Sequence, residues 1–191
     1  MNNIYKKHIN IVYHYIDLTK TVKRFNNSFK VDNYEDTVLD HTARVIFLST
    51  EFAAYLKDKY DLQLDLLIII RMATFHDVAE TETGDMNGRI KDENNGIRDL
   101  LEKAERKYLK TFLTKEFIKQ LYFDETSLEF QVMKLADKYD VYLQMIYLKD
   151  NYYKKSPQYK RIIKVILNTI DRINSLDIYN KYFKEYLSLD Y

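Results

Sequence analysis

Three glycines and one proline in 191 residues leave this chain very little with which to punctuate hairpins and tight turns. A strand-rich fold needs such residues often, because the common hairpin turns require positive or pre-set φ angles. A helical fold does not, and apolar residues recur here at spacings of three and four, the period of an α-helix. Stretches rich in Leu, Ile, Lys and Glu favour the same state. At 46% hydrophobic content the length suits a single domain with a sizeable core. The expectation is an all-α fold, one helical bundle over residues 1–191.

The periodicity predicts a first helix from Ile4 to about Val22 and a polar loop from Arg24 to Asp36 that includes Asn26, Asn27 and Ser28. A second helix fits Thr37 to about Lys59, with Val38, His41, Val45, Leu48 and Phe52 along one side. A third runs from about Leu64 to Glu80 and is apolar nearly all round at first, as a buried central helix would be. Thr83-Gly84-Asp85 interrupts the pattern, and the segment through Asn95-Gly96 reads as irregular. Further helices are expected at about Ile97–Thr111, Lys115–Tyr122, Ser127–Lys149 and from Pro157, at a first helical turn, to Asn174. A tyrosine-rich terminal helix follows.

Composition narrows function. The formal net charge is +1, which gives no general affinity for nucleic acid or an anionic membrane. No cysteine is present, so thiolate chemistry is excluded and any metal must be held by His, Asp and Glu. The first eighteen residues mix charged groups into the apolar pattern, unlike a secretory signal. The apolar run Leu66–Ile70 is far short of a membrane span. A cytoplasmic protein is expected.

There are four histidines. His8 and His14 on the first helix read as ordinary helix residues. His76 is different: with Asp77 it closes the apolar stretch Leu66–Phe75, where two adjacent ionisable groups are costly unless they share a partner. A divalent cation is such a partner, and imidazole with carboxylate suits Mn, Fe, Co, Ni or Zn better than calcium. Two further ligands would complete a site: His41 on the preceding helix, and Asp137 within Leu135-Ala136-Asp137-Lys138-Tyr139. Asp140, nearly a turn further on, is the rival of Asp137.

The order of a histidine, a histidine–aspartate pair and a later aspartate on three core helices resembles the HD superfamily of metal-dependent phosphohydrolases. The segment His76-Asp77-Val78-Ala79-Glu80-Thr81-Glu82-Thr83-Gly84-Asp85 is similar to the HDxxExxxGD motif of its bacterial 5′-deoxyribonucleotidase branch, with Lys91 matching a basic position beyond it. Upstream, Arg24-Phe25 and Thr37-Val38-Leu39-Asp40-His41-Thr42 resemble that branch's arginine–aromatic pair and its V-x-E-H-[ST] helix start. Phe25 stands where Trp is usual and Asp40 where Glu is usual. Met86-Asn87-Gly88-Arg89 replaces a proline-containing segment.

The resemblance implies an HD-type bundle that hydrolyses the phosphate of nucleoside 5′-monophosphates with one divalent transition metal, held by His41, His76, Asp77 and Asp137. Glu80 would orient water or shuttle a proton, and Arg24 would clamp the phosphate. Asp85 would accept from a sugar hydroxyl, Lys91 would add positive potential, and Phe25 would pack on the deoxyribose. Glu82 reads as a solvated residue. A homodimer is expected by analogy, with the aromatic C-terminal helix as a candidate interface. Other readings remain: hydrolysis of another small phosphorylated metabolite, such as guanosine tetraphosphate, or a binding module that has lost catalysis. Binuclear members of the superfamily use extra histidines after the HD pair, and none follows His76.

Overall fold

A computed structural model describes residues 14–24, 35–85, 94–111, 113–153 and 158–190. Elements met in chain order are α1 (residues 14–19), α2 (Val38–Tyr60), α3 (Leu66–Phe75), α4 (Glu80–Thr83), α5 (Asn95–Leu109), α6 (Lys115–Phe123), α7 (Leu128–Leu148) and α8 (Tyr159–Asn174). Two π-helical turns, Lys149–Tyr153 and Tyr179–Phe183, follow α7 and α8 respectively. Among the described residues there is no strand, only an isolated antiparallel bridge between Lys23 and Thr37. The fold is all-α, as expected. His8, the Asn26–Ser28 stretch, Phe25, Lys91 and Pro157 lie outside the described residues.

Chain contacts divide the protein into two units, Met1–Ala43 with Thr74–Asp124, and Arg44–Ala73 with Glu125–Tyr191. The divisions fall inside α2 and α3.

The first unit is organised around the start of α2. Thr37 and Asp40 form a reciprocal capping box. The Asp40 N–H donates to Thr37 Oγ1 at 3.2 Å, and the Asp40 carboxylate accepts from the Thr37 N–H at 2.9 Å. The Thr37 hydroxyl also donates to that carboxylate at 2.7 Å. These bonds satisfy amides that the first helical turn would otherwise leave without acceptors. Beside the cap, Arg24 N donates to Asp36 O and Val38 N to Val22 O, both at 2.9 Å, which ties residues 22–24 to the start of α2. Further along, the Thr81 hydroxyl meets Tyr108 Oη at 3.2 Å, joining α4 to α5. Tyr15 packs edge-on against the same Tyr108, and Phe75 packs edge-on against Phe117 of α6.

The second unit has a conventional apolar core, in which α7 packs along α8 and Phe52, Leu56, Ile69, Leu135, Ile166 and Phe183 are fully or almost fully buried. Its helices begin where side chains can cap them. Asp65 Oδ1 accepts from Ile68 N at the head of α3, and Ser127 Oγ from Phe130 N at the head of α7. Tyr179 and Phe183, part of the aromatic C-terminus expected as an interface, are buried in this core.

Three boundaries differ from the periodicity. α3 stops at Phe75 instead of running to Glu80, because Val78, Glu80, Thr81 and Glu82 each donate to the carbonyl three residues back, a tighter winding than the α-helix. α5 begins at Asn95, two residues early, since the Asn94 side chain caps it through Ile97 N. The terminal segment is a π-helical turn continued by short turns and not a regular α-helix.

The cap is open to a direct test. Asp40→Ala removes the acceptor for Thr37 and is expected to cost about 1 kcal/mol in urea unfolding. An unchanged midpoint at unchanged denaturant slope would show that the cap does not hold α2 in place.

Candidate metal centre

The start of α2 fixes His41. Its N–H donates to Thr37 O at 3.1 Å, so the imidazole sits one turn inside a capped helix, and the residue is fully buried. His76 immediately follows α3, and its side chain is 7% exposed. The two Nε2 atoms lie 3.1 Å apart, with the rings tilted by 59°. Asp77 Oδ2 lies 3.4 Å from His41 Nε2 and 3.3 Å from His76 Nε2. Three ligand-type atoms from two chain segments therefore form a nearly equilateral triangle.

That triangle suits a cation better than it suits itself. A neutral imidazole carries one N–H, so two Nε2 atoms facing each other and one carboxylate oxygen cannot all be matched as donor and acceptor. A metal about 2.1 Å from each atom makes all three acceptors, and ligand angles between a right angle and the tetrahedral value then separate them by about 3.0–3.4 Å. The observed edges fall in that range. Two imidazoles and a carboxylate are also the donor set expected for Mn, Fe, Co, Ni or Zn. The residues present fit the group.

Electrostatics favour the ligand form of Asp77. Burial alone would raise its carboxyl, but electrostatic interaction with the adjacent His76 and hydrogen bonds from His41 and His76 outweigh it and hold the group well below the usual carboxylate range. The carboxylate is thus ionised throughout the neutral range. Arg24 Nη1 stands 3.3 Å from the same Oδ2, on a side chain only 8% exposed. The bridge to the start of α2 is what places this arginine, since Arg24 N is bonded to Asp36 O.

The rest of the motif follows in the tight turns after α3. Glu80 opens α4 and is buried. The winding from His76 to Ala79 is tighter than α-helical, so Glu80 does not stand one α-helical turn from His76, and its N–H donates to Asp77 O at 3.0 Å. Gly84 ends α4 with φ +76° and ψ 153°, and no heavy atom lies within 4 Å of a Cβ built on it. Only the backbone angles require a glycine at this position. Asp85 comes next and is half-buried, while His14 and Glu82 are exposed.

In the second unit, Asp137 is buried on α7, with Lys138 Nζ 2.9 Å and Lys134 Nζ 3.7 Å from its Oδ2. Its rival Asp140 is also buried, but both of its oxygens are engaged by Arg44 of α2. Reading the sequence missed Arg44 and Lys138. A solvent-side lysine beside an aspartate carries no signal, whereas Arg44 had a weak one, being an arginine one turn after His41 in an apolar helix.

Comparison with known proteins agrees with this geometry. The architecture is similar to that of a conserved hypothetical protein from Pyrococcus furiosus, with 25% identity, a TM-score of 0.72, and coverage of 93% of this chain and 95% of that one. A protein from Pyrococcus horikoshii OT3 is 22% identical at TM-score 0.67, over 91% of this chain and 92% of its own. An HD-domain phosphohydrolase from Listeria innocua is 17% identical at TM-score 0.64, over 93% and 88%. Likeness at the two lower identities carries the fold alone. No curated protein matches the chain.

An all-helical fold in which a histidine–aspartate pair follows the apolar helix α3 and meets a second histidine is the arrangement expected of an HD-type phosphohydrolase. More narrowly, the chain belongs to the YfbR-like 5′-deoxynucleotidase family, whose profile matches residues 12–190. That family is one of nucleotide phosphohydrolases.

Two outcomes are expected. His41→Ala and His76→Ala each lower affinity for Mn²⁺ or Co²⁺ on the order of 100-fold or more, beyond what loss of a supporting contact costs. Calorimetric titration of refolded, metal-free protein checks this, and wild-type affinity in either variant would dismantle the triangle. Gly84→Ala forces a side chain into a glycine-only conformation and is expected to cost about 1–3 kcal/mol in thermal unfolding.

Proposed function

We propose that the enzyme removes the 5′-phosphate from nucleoside monophosphates, preferring the deoxyribo series, with one divalent transition metal held by His41, His76, Asp77 and Asp137. The observation that carries the metal site is the convergence of His41, His76 and Asp77 within 3.4 Å of one another. Support for Asp137 as the fourth ligand comes from its burial, its place in the Leu-Ala-Asp stretch of α7 and the engagement of its rival Asp140 by Arg44.

When bound, such a metal supplies a water of lowered pKa and polarises a phosphate oxygen. The chain does the rest. Glu80, buried at the head of α4, takes the proton from the attacking water and returns it to the 5′-oxygen as the phosphorus–oxygen bond breaks. The products are a nucleoside and inorganic phosphate. Arg24, 3.3 Å from Asp77 Oδ2, is assigned to the phosphate, since its planar fork matches two phosphate oxygens at once. Asp85, which directly follows Gly84, is assigned to a sugar hydroxyl. Phe25 and Lys91 are assigned to the deoxyribose face and to the phosphate field. A homodimer in the cytoplasm is the setting proposed for the enzyme. No described helix is long and apolar enough to cross a membrane.

The test is phosphate release from a panel of deoxy- and ribonucleoside 5′-monophosphates, using EDTA-treated protein resupplied with Mn²⁺, Co²⁺ or Zn²⁺. Release is expected only with metal and faster in the deoxy series. Stoichiometric metal binding without release from any member would move the enzyme to another phosphorylated substrate. Glu80→Ala is expected to keep its metal and lose about 10²–10⁴ in turnover, and normal turnover would leave Glu80 without a catalytic role.

A further inference from the structure

Arg44 and Asp140 form a two-point ion pair in the second unit. Arg44 Nε donates to Asp140 Oδ1 at 2.7 Å and a terminal nitrogen donates to Oδ2 at 3.2 Å. Asp140 is 2% exposed, whereas the arginine side chain is about a third exposed, so only one of the two charges has surrendered its water. A pair with one buried carboxylate contributes little net stability of its own, because desolvation of the carboxylate offsets the attraction. Its planar, two-bond geometry contributes direction instead: it fixes both the rotation and the axial position of one helix against the other.

The pair's location gives that direction a use. On α2, Arg44 follows His41 by three residues, and on α7, Asp140 follows Asp137 by the same three. Each partner thus stands about one turn beyond a proposed metal ligand on an uninterrupted helix. We propose that Arg44 and Asp140 are positioning residues, a clamp within the second unit that sets the register of α2 against α7 and so fixes how α7 presents Asp137 as a metal ligand. The clamp also withholds Asp140 from coordination, since both its oxygens are occupied, and so decides between two aspartates three residues apart. Ligands displaced by about half an ångström no longer match a metal's preferred geometry, so the clamp acts on metal affinity more than on folding.

This inference rests on the metal site proposed above, and the experiment separates the two. Metal-free full-length protein is titrated with Co²⁺, reading affinity by calorimetry and ligand geometry by visible absorption, with the thermal midpoint of the metal-free protein measured alongside. The variants are Arg44→Met/Asp140→Leu, which replaces the pair by apolar groups of similar size, Arg44→Lys, which keeps the charge but not the fork, and Arg44→Met alone. Phe52→Leu, in the same unit's core, is the control for general destabilisation.

The double variant is expected to keep or raise the thermal midpoint while binding Co²⁺ at least 10-fold more weakly, with an altered absorption envelope. Arg44→Lys should fall between it and wild type, and Phe52→Leu should lower the midpoint at unchanged affinity. Wild-type Co²⁺ affinity in a folded double variant overturns the clamp and leaves the metal site standing. Should the double variant not fold, wild-type affinity in Arg44→Lys overturns it equally. Tighter binding in Arg44→Met would show that freed Asp140 is itself a ligand. A wild-type chain that binds no Co²⁺ removes the metal site first.

Discussion

Everything else in the first unit is arranged around an unfavourable meeting, two buried imidazole nitrogens 3.1 Å apart with a carboxylate oxygen against both. A core of this kind would normally place apolar groups there. Three polar atoms so close cannot satisfy one another by hydrogen bonding alone, and the cost of holding them falls on the surrounding structure. The capping box anchors one imidazole, the end of α3 delivers the other with its neighbouring aspartate, and Arg24 lends a positive charge to the carboxylate. A cation turns this cost into binding energy, so apo and metal-loaded protein should differ in how firmly the two histidine-bearing segments are joined.

Much of this was legible in the residues. The scarcity of glycine and proline with a three-and-four spacing gives the helical class, and on α2 the side expected from the same period buries Val38, His41, Val45 and Phe52. His41, His76 and Asp77 could be picked out because ionisable groups in apolar helices need a reason to be there. Arg24 and Asp77 meet across 53 positions of sequence, and only the family resemblance suggested that they share a site.

What was not legible depended on local competition between winding modes. Hydropathy carries the period through Phe75 and on to Glu80, yet the chain tightens at His76 and restarts at Glu80. The amides there bond three residues back, a change of winding that hydropathy does not mark. The early start of α5 was missed for a related reason, since a single asparagine side chain outweighs the polar composition that read as irregular. At the C-terminus, aromatic density suggested a regular helix for docking, whereas Tyr179 and Phe183 are consumed by the core on a π-helical turn.

Gly84 bears on how motifs of this kind are used to sort proteins. Its place between Glu80 and Asp85 makes it look like part of the chemistry, but with φ +76° and open space around a built Cβ it answers only to backbone geometry. A lineage that abandoned hydrolysis while keeping the fold would still be under pressure to retain that glycine. A match at this letter is therefore evidence of shared ancestry and shape, and the diagnosis of a working enzyme must be made on the side chains that flank it.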